Sequence, residues 1–304
     1  MSTRFNKVAV LFGGLSAERE VALLSGRTVI KALLTAGYEV VELDLVDRSL
    51  LLPWLAEHKP DVVFPVLHGR MGEDGVLQGL LEWVGIPFVG SGVMGSAIAM
   101  DKLRSKMIFK TGGVPTPDFV VVRSQADALI HQARLCYPVF VKPVREGSSI
   151  GIGRADNQGE FMSAVTEALN HDTEVLVEQF VDGPEYTVGI IGAEVLPVIR
   201  LKPHARFYDY DAKYVSEDTE YHLPSGLSAE LEGAVQAMSL MAFAALGCTG
   251  WGRVDLMMDG QGALQVLEVN TIPGMTDHSL VPKAASAYGW DLPELMHKLL
   301  ATVK

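Results

Sequence analysis

A chain of 304 residues exceeds what one ordinary hydrophobic core serves, so two or three domains are expected. Its 48% hydrophobic and 20% charged residues are those of a globular protein, and a net charge of -12 argues against a nucleic-acid partner, whose phosphates demand a basic surface. Cys136 and Cys248, the two cysteines, have no metal-ligand spacing and rule out a disulfide framework or structural zinc, leaving free, packed thiols in a reducing compartment. The apolar run VAVLF near the amino terminus is too short for a secretory core. No run approaches the ~20 residues of a membrane span. A cytoplasmic protein with no membrane partner is expected.

In chain order, VAVLF leads to a helix over about Glu18 to Ala36, then to the strands YEVVELDL and DVVFPVL, a helix around Leu77 to Val84, and IPFVGS. Such alternation predicts a parallel sheet flanked by helices. A helix from Met94 to Lys110 should stop at Gly112 and Gly113, ahead of Pro115 and Pro117. Beyond it come FVVV, a helix around Ala126 to Leu135, PVFVKPV, the glycine-rich turn REGSSIG, a helix from Glu160 to Asn170, and EVLVEQFV. Two strands joined by that tight loop suggest an antiparallel α+β unit. Strands continue through Arg200. An irregular aromatic stretch from Phe207 to Leu223 precedes a helix over about Ala229 to Leu246, an acidic hairpin, and a last helix near Leu292 to Val303.

The hairpin is the most informative stretch. Two apolar runs, GWGRVDLMM and ALQVLEVN, flank the turn signal Asp259-Gly260. A loop of two or four residues places Met258 across from Ala263, Arg253 opposite Glu268 and Asp255 opposite Val266. Strand side chains alternate faces, so Arg253, Asp255, Glu268 and Asn270 share one face, with Gln265 on the other. Cross-strand neighbours lie about 5 Å apart. Two carboxylates and an amide oxygen at that spacing suit a hard divalent cation shared with a substrate phosphate. An odd loop would put the two acidic strands on opposite faces.

Other segments are weaker alone. The loop Arg145 to Gly151 follows a strand bearing Lys142, and its exposed amides can cradle phosphate; a plain hairpin turn fits equally. Lys102 and Lys142 would supply two point charges for a triphosphate, although an edge-strand lysine can simply snorkel. Glu18 sits in the first turn of a helix, where a carboxylate also offsets the macrodipole. His68 ends an apolar run, where ligands of open α/β sheets gather. The segment Glu178 to Glu185 crosses a hinge at Gly183-Pro184 and offers backbone groups and carboxylates to a purine and a ribose.

Together these segments resemble the D-alanine-D-alanine ligase family of the ATP-grasp superfamily. The likeness runs through Gly13 to Glu20, Leu67 to Gly75, Met100 to Lys102, Lys142 to Gly151, Glu185 to Thr187, Tyr208 to Tyr214, Gly252 to Asp255, Glu268 to Thr276 and His278 to Leu280. It implies mixed α/β and α+β architecture in three domains: a Rossmann-like, parallel-sheet substrate domain over 1–96, a central ATP-grasp domain over 97–182, and a carboxy-terminal ATP-grasp and metal-binding domain over 183–304. ATP would lie against Lys102, Lys142, Glu178, Phe180, Val181, Glu185 and Lys213. Asp255, Glu268 and Asn270 would hold two magnesium ions, with manganese as a substitute. Glu18 and His68 would meet the first D-alanine, and Ser279 with Leu280 the carboxylate of the second. Arg253 and Gly274 would stabilise the tetrahedral oxyanion, while Ser148 and Tyr214 join Glu18 in a hydrogen-bonded set. A homodimer making D-alanyl-D-alanine for peptidoglycan through an acyl phosphate is implied. The competing readings are another ATP-grasp carboxylate-amine ligase and a nucleotide-binding module without chemistry.

Overall fold

The computed structural model describes residues 4–202, 220–276 and 278–304. The buried run β1 (Lys7–Phe12) enters α1 (Arg19–Thr35), followed by β2 (Glu39–Asp44), α2 (Leu51–His58) and β3 (Val62–Pro65). These strands form a parallel sheet in the order β2-β1-β3, as the alternating pattern predicts. IPFVGS contributes only an isolated bridge from Phe88 to Val63. Helix α2 has no counterpart among the sequence expectations.

Then come α3 (Val76–Val84), α4 (Val93–Met100) and α5 (Lys102–Gly112). The single helix expected from Met94 to Lys110 is broken at Asp101. That residue is extended, and its carboxylate accepts a hydrogen bond from the Arg104 amide, so it ends one helix and caps the next. The break directs Lys102 toward the glycine loop.

The second sheet contains β4 (Phe119–Val122), β5 (Val139–Pro143), β6 (Gly153–Ala155) and β7 (Val175–Gln179), with α6 (Gln125–His131) and α7 (Gln158–His171) packed on it. Its order is β4-β7-β5-β6, all antiparallel. The third sheet holds β8 (Glu185–Ile191), β9 (Glu194–Val195), β10 (Ile199–Lys202), β11 (Glu220–His222), β12 (Trp251–Met258) and β13 (Leu264–Asn270), backed by α8 (Ala229–Ala245). Its main path is β11-β10-β8-β12-β13, with β9 on β8.

The chain ends in α9 (Leu280–Tyr288) and α10 (Leu292–Ala301). Leu280, Val281, Leu295 and Leu299 share one core with Val8, Val29 and Leu33 of the amino-terminal layer. Trp251 of β12 joins that core beside Phe64, with ring centroids 6.4 Å apart. The first and last parts of the chain are thus held by common apolar burial, roughly 1.5 to 3 kcal/mol for each fully buried large side chain. Cys248 is buried as expected, which pushes its pKa up to about 12, whereas Cys136 departs from expectation and is exposed.

Candidate active site

The acidic hairpin reaches the expected face by a different route. Its loop spans residues 259–263, because Met258 pairs with Leu264 rather than lying across from Ala263. Asp259 closes this loop, its carboxylate accepting from the amides of Gln261 and Ala263. An odd loop inverts the face relationship. A bulge at Leu267 inverts it again, since Asp255 pairs with Glu268 while Leu256 pairs with Val266. Arg253 therefore faces Asn270, not Glu268, and Asp255 faces Glu268, not Val266; the four still share one face. Gln265, opposite Met257, is brought onto that face too, contrary to expectation.

Asp255 is buried and held on both oxygens. Arg253 Nε and Nη2 donate to Oδ1 and Oδ2 at 2.9 and 2.6 Å, and Thr187 Oγ1 donates to Oδ1 at 2.6 Å. Glu268 lies 3.3 Å from Lys102 Nζ, which also donates to the Glu146 carbonyl at 2.7 Å. Asn270 Oδ1 accepts from the Ile272 amide. Two directly opposed carboxylates beside an amide oxygen form an oxygen-only donor set that fits a hard divalent cation. Among the described residues no group of three or more His, Cys, Asp or Glu side chains is placed to hold a metal. A cation here must therefore take further ligands from substrate oxygens and water.

Two cavities meet on this hairpin. The larger, about 390 Å³, runs between the second and third sheets and is lined by Lys142, Glu178, Phe180, Val181, Glu185 and Asp255. The other lies where the amino-terminal layer meets them and is lined by Glu18, His68, Ser148, Arg253, Asn270 and Gly274, with Ser279 and Leu280 at its far wall. Lys102 and Glu268 line both cavities. All the expected ligand-contacting residues within the described chain reach one or both; Lys213 and Tyr214 lie outside the described residues.

In the smaller cavity, Glu18 occupies the position before α1 but makes no capping hydrogen bond. Its carboxylate instead accepts from the Ser148 hydroxyl, 130 residues away. Gly147 permits this contact, because a Cβ there would sit 2.9 Å from Glu18 Oε2. Ser148 and Ser149 have φ of +48° and +61°, a left-handed conformation costing roughly 1 to 3 kcal/mol per residue and typical of loops shaped around a ligand. His68 is buried with Nδ1 3.3 Å from Glu73 Oε1. Burial pushes the imidazole down, but the Glu73 and Glu18 carboxylates lift it above the ordinary histidine value. Ser279 Oγ accepts from the Thr276 amide at the start of α9, where unpaired helix amides attract a carboxylate.

In the larger cavity Phe180 packs against Phe140 with centroids 5.9 Å apart, and the Arg154 guanidinium lies 4.6 Å from its ring. Glu178 is wholly buried and clamped between Lys142 and Lys106; Lys106 Nζ is 2.6 Å from Oε1. Burial alone would raise the Glu178 carboxyl; the two ammonium groups hold it below the ordinary glutamate value. Burial likewise pushes Lys106 down against the pull of Glu178, whereas Lys142 is lifted above the ordinary lysine value because Glu178, Glu268 and Glu185 outweigh its burial. Lys106 falls in no motif, whereas Glu73 and Thr187 lie inside segments that carry the family likeness but give no sign of the contacts they make. The only sequence signal for Lys106 is its spacing of four from Lys102, which puts both lysines on one helix face.

Family models described as "D-ala D-ala ligase N-terminus" and "D-ala D-ala ligase C-terminus" match residues 52–91 and 108–301. The D-alanine-D-alanine ligase of Ectopseudomonas mendocina (strain ymp) is 51% identical over 297 residues, covering 98% of this chain and 94% of that protein. That of Pseudomonas entomophila (strain L48) is 50% identical over 298 residues, covering 98% and 93%. The Bacillus anthracis D-alanine-D-alanine ligase complexed with ATP superposes with a TM-score of 0.83 at 35% identity, covering 99% of this chain and 97% of that one. The VanG D-Ala:D-Ser ligase of Enterococcus faecalis does so with a TM-score of 0.84 at 32% identity, covering 98% and 99%.

Proposed function

The chain belongs to the D-alanine-D-alanine ligase family, and from that premise we propose how its two cavities divide the ATP-dependent joining of two D-alanines for cell-wall precursor synthesis. The observation that carries the reading is that Lys102 and Glu268 line both cavities, so phosphoryl transfer from one to the other takes place beside them. ATP occupies the larger cavity, its purine against Phe180, Val181 and the Glu178 strand, its ribose at Glu185, and its phosphates toward Lys102, Lys142 and the glycine loop. D-alanine fills the smaller. The units proposed are 1–96, 97–182 and 183–304, the last returning two helices to the first.

A carboxylate is a poor electrophile at neutral pH, so the first D-alanine is activated as an acyl phosphate, with the lysines neutralising charge on the group in transit. Asp255, Glu268 and Asn270 would hold two magnesium ions, or manganese, which supply further charge neutralisation at the phosphates. Glu18, fixed by Ser148, receives the first ammonium beside His68. The Ser279 hydroxyl and the Leu280 amide receive the second carboxylate. The second amine attacks the acyl carbon and phosphate leaves; Arg253 and the Gly274 amide stabilise the oxyanion, about 3 kcal/mol for a well-placed donor. Lys213 would add a phosphate contact, and Tyr214 would join Glu18 and Ser148. A cytoplasmic homodimer completes the proposal; no helix among the described residues is long and apolar enough to cross a membrane.

Phosphate release measured with ATP alone, with D-alanine and with L-alanine tests this reading. Turnover should require D-alanine, and hydroxylamine added during turnover should trap the activated carboxylate as a hydroxamate. Turnover indifferent to D-alanine would overturn the substrate assignment, and absence of the hydroxamate would point to another order of steps.

A further inference from the structure

Lys106 is a cation that the reaction as described does not use. It lies one helical turn beyond Lys102 on α5, only 1% exposed, and lines neither cavity. Its ammonium is 2.6 Å from Glu178 Oε1 and donates to Thr116 Oγ1 at 2.6 Å. The threonine hydroxyl donates in turn to the Val266 carbonyl of β13, at 2.8 Å, which ties the cluster to the acidic hairpin. The other oxygen of Glu178 contacts the Lys142 ammonium, which does reach the larger cavity. One buried carboxylate therefore carries an ammonium on each oxygen.

We propose that Lys106 is a positioning residue: by neutralising Glu178 from behind, it leaves the charge of Lys142 available to the ATP phosphates. Three ammonium groups, on Lys102, Lys106 and Lys142, lie among the carboxylates of Glu178 and Glu268, with Glu185 also acting on Lys142, so the charge of Lys106 is what keeps Lys142 from being fully offset. Without Lys106, Glu178 and Lys142 form a neutral buried pair, and Lys142 is drawn to the carboxylate rather than the phosphate. In a water-poor site that difference is large, because buried charges are weakly screened. The inference rests on the assignment of the larger cavity to ATP.

The test is the ratio of ATP to adenosine affinity, measured calorimetrically on the full chain without D-alanine, because adenosine reports the purine and ribose contacts but no phosphate. Lys142→Met should lower the ratio about tenfold or more, the value of a lost charge-assisted contact. If it leaves the ratio unchanged, the ATP assignment itself is wrong. Lys106→Met should lower the ratio to a similar extent although its side chain touches no ligand. The double variant Lys106→Met/Glu178→Gln, which leaves no buried carboxylate short of a partner and so folds even if the single variant does not, should bring the ratio back near wild type. A normal ratio in Lys106→Met alongside a reduced one in Lys142→Met overturns the inference, as does a double variant with a ratio as low as that of Lys142→Met.

Discussion

Asp255 and Glu268 face each other directly across β12 and β13 because two irregularities of the hairpin cancel. The odd loop over 259–263 would send the carboxylates to opposite faces, and the bulge at Leu267 returns them to one. Arg253 and Thr187 hold Asp255, while Lys102 balances Glu268, so the opposed acids are ready for a cation without mutual repulsion.

Glu268→Gln should therefore reduce turnover by at least a hundredfold at limiting magnesium, with partial recovery as magnesium rises. Gln261→Ala in the exposed loop of the same hairpin should leave turnover intact. Magnesium titrations of phosphate release check this, and near-normal activity of Glu268→Gln at low magnesium would remove the glutamate from the metal site.

Ser148 carries two separable features, a hydroxyl bound to Glu18 and a left-handed backbone. Loss of one hydrogen bond of this kind costs about 1 to 3 kcal/mol. Ser148→Ala and Ser148→Gly should both lower kcat/KM for D-alanine by tenfold or more, with a smaller change in KM for ATP. Glycine relieves the backbone and alanine does not. Recovery in the glycine variant alone would mean that loop shape, not the hydroxyl, is what Glu18 needs.

Glu174 lies 2.6 Å from Arg104, 2.8 Å from Arg123 and 3.5 Å from Arg145, at the base of the glycine loop. Its hydrogen bond from Arg104, aided by Arg123 and opposed by burial, holds the carboxyl below the ordinary glutamate value of 4.5. A depressed carboxyl contributes stability that is present above its unfolded pKa and lost as pH falls through the folded one. The thermal midpoint should drop as pH falls below about 4.5, and Glu174→Gln should start lower and show a shallower drop. Melting curves from pH 7 to pH 3 provide the check; parallel curves would show that other groups set the acid limb.

Tyr214, outside the described residues, bears on acceptor choice through the family resemblance, in which tyrosine at this position accompanies dipeptide synthesis and phenylalanine accompanies D-alanyl-D-lactate synthesis. Wild type should make D-alanyl-D-alanine almost exclusively near neutral pH, whereas Tyr214→Phe should gain measurable D-alanyl-D-lactate. Competing the two acceptors and separating the products decides it, and an unchanged ratio would remove Tyr214 from specificity.

What the sequence by itself determined is what short-range patterning controls. The parallel amino-terminal strands, the helix from Arg19 and the glycine loop after Lys142 all follow from periods of two and 3.6 and from turn residues. The hairpin shows the limit of that reading, because the face was right while the register was not: Asp-Gly marks a turn, but neither the loop length nor the compensating bulge at Leu267 is written in the local pattern. The break at Asp101 was equally hidden, since an N-capping aspartate inside a helical pattern reads as an ordinary polar residue until its neighbours are placed.

Tertiary structure alone decided the contacts between distant segments. Glu18 meets Ser148 only because the amino-terminal layer closes on the second sheet. Lys106 reads as a solvated lysine in sequence and becomes a buried partner of Glu178 only when α5 lies against β7. The last two helices pack on the first layer because their apolar faces complete its core. Each of these pairings joins groups far apart in the chain, and local periodicity cannot specify which distant surface a buried face or charge will find, since that depends on the free energy of the whole packed arrangement.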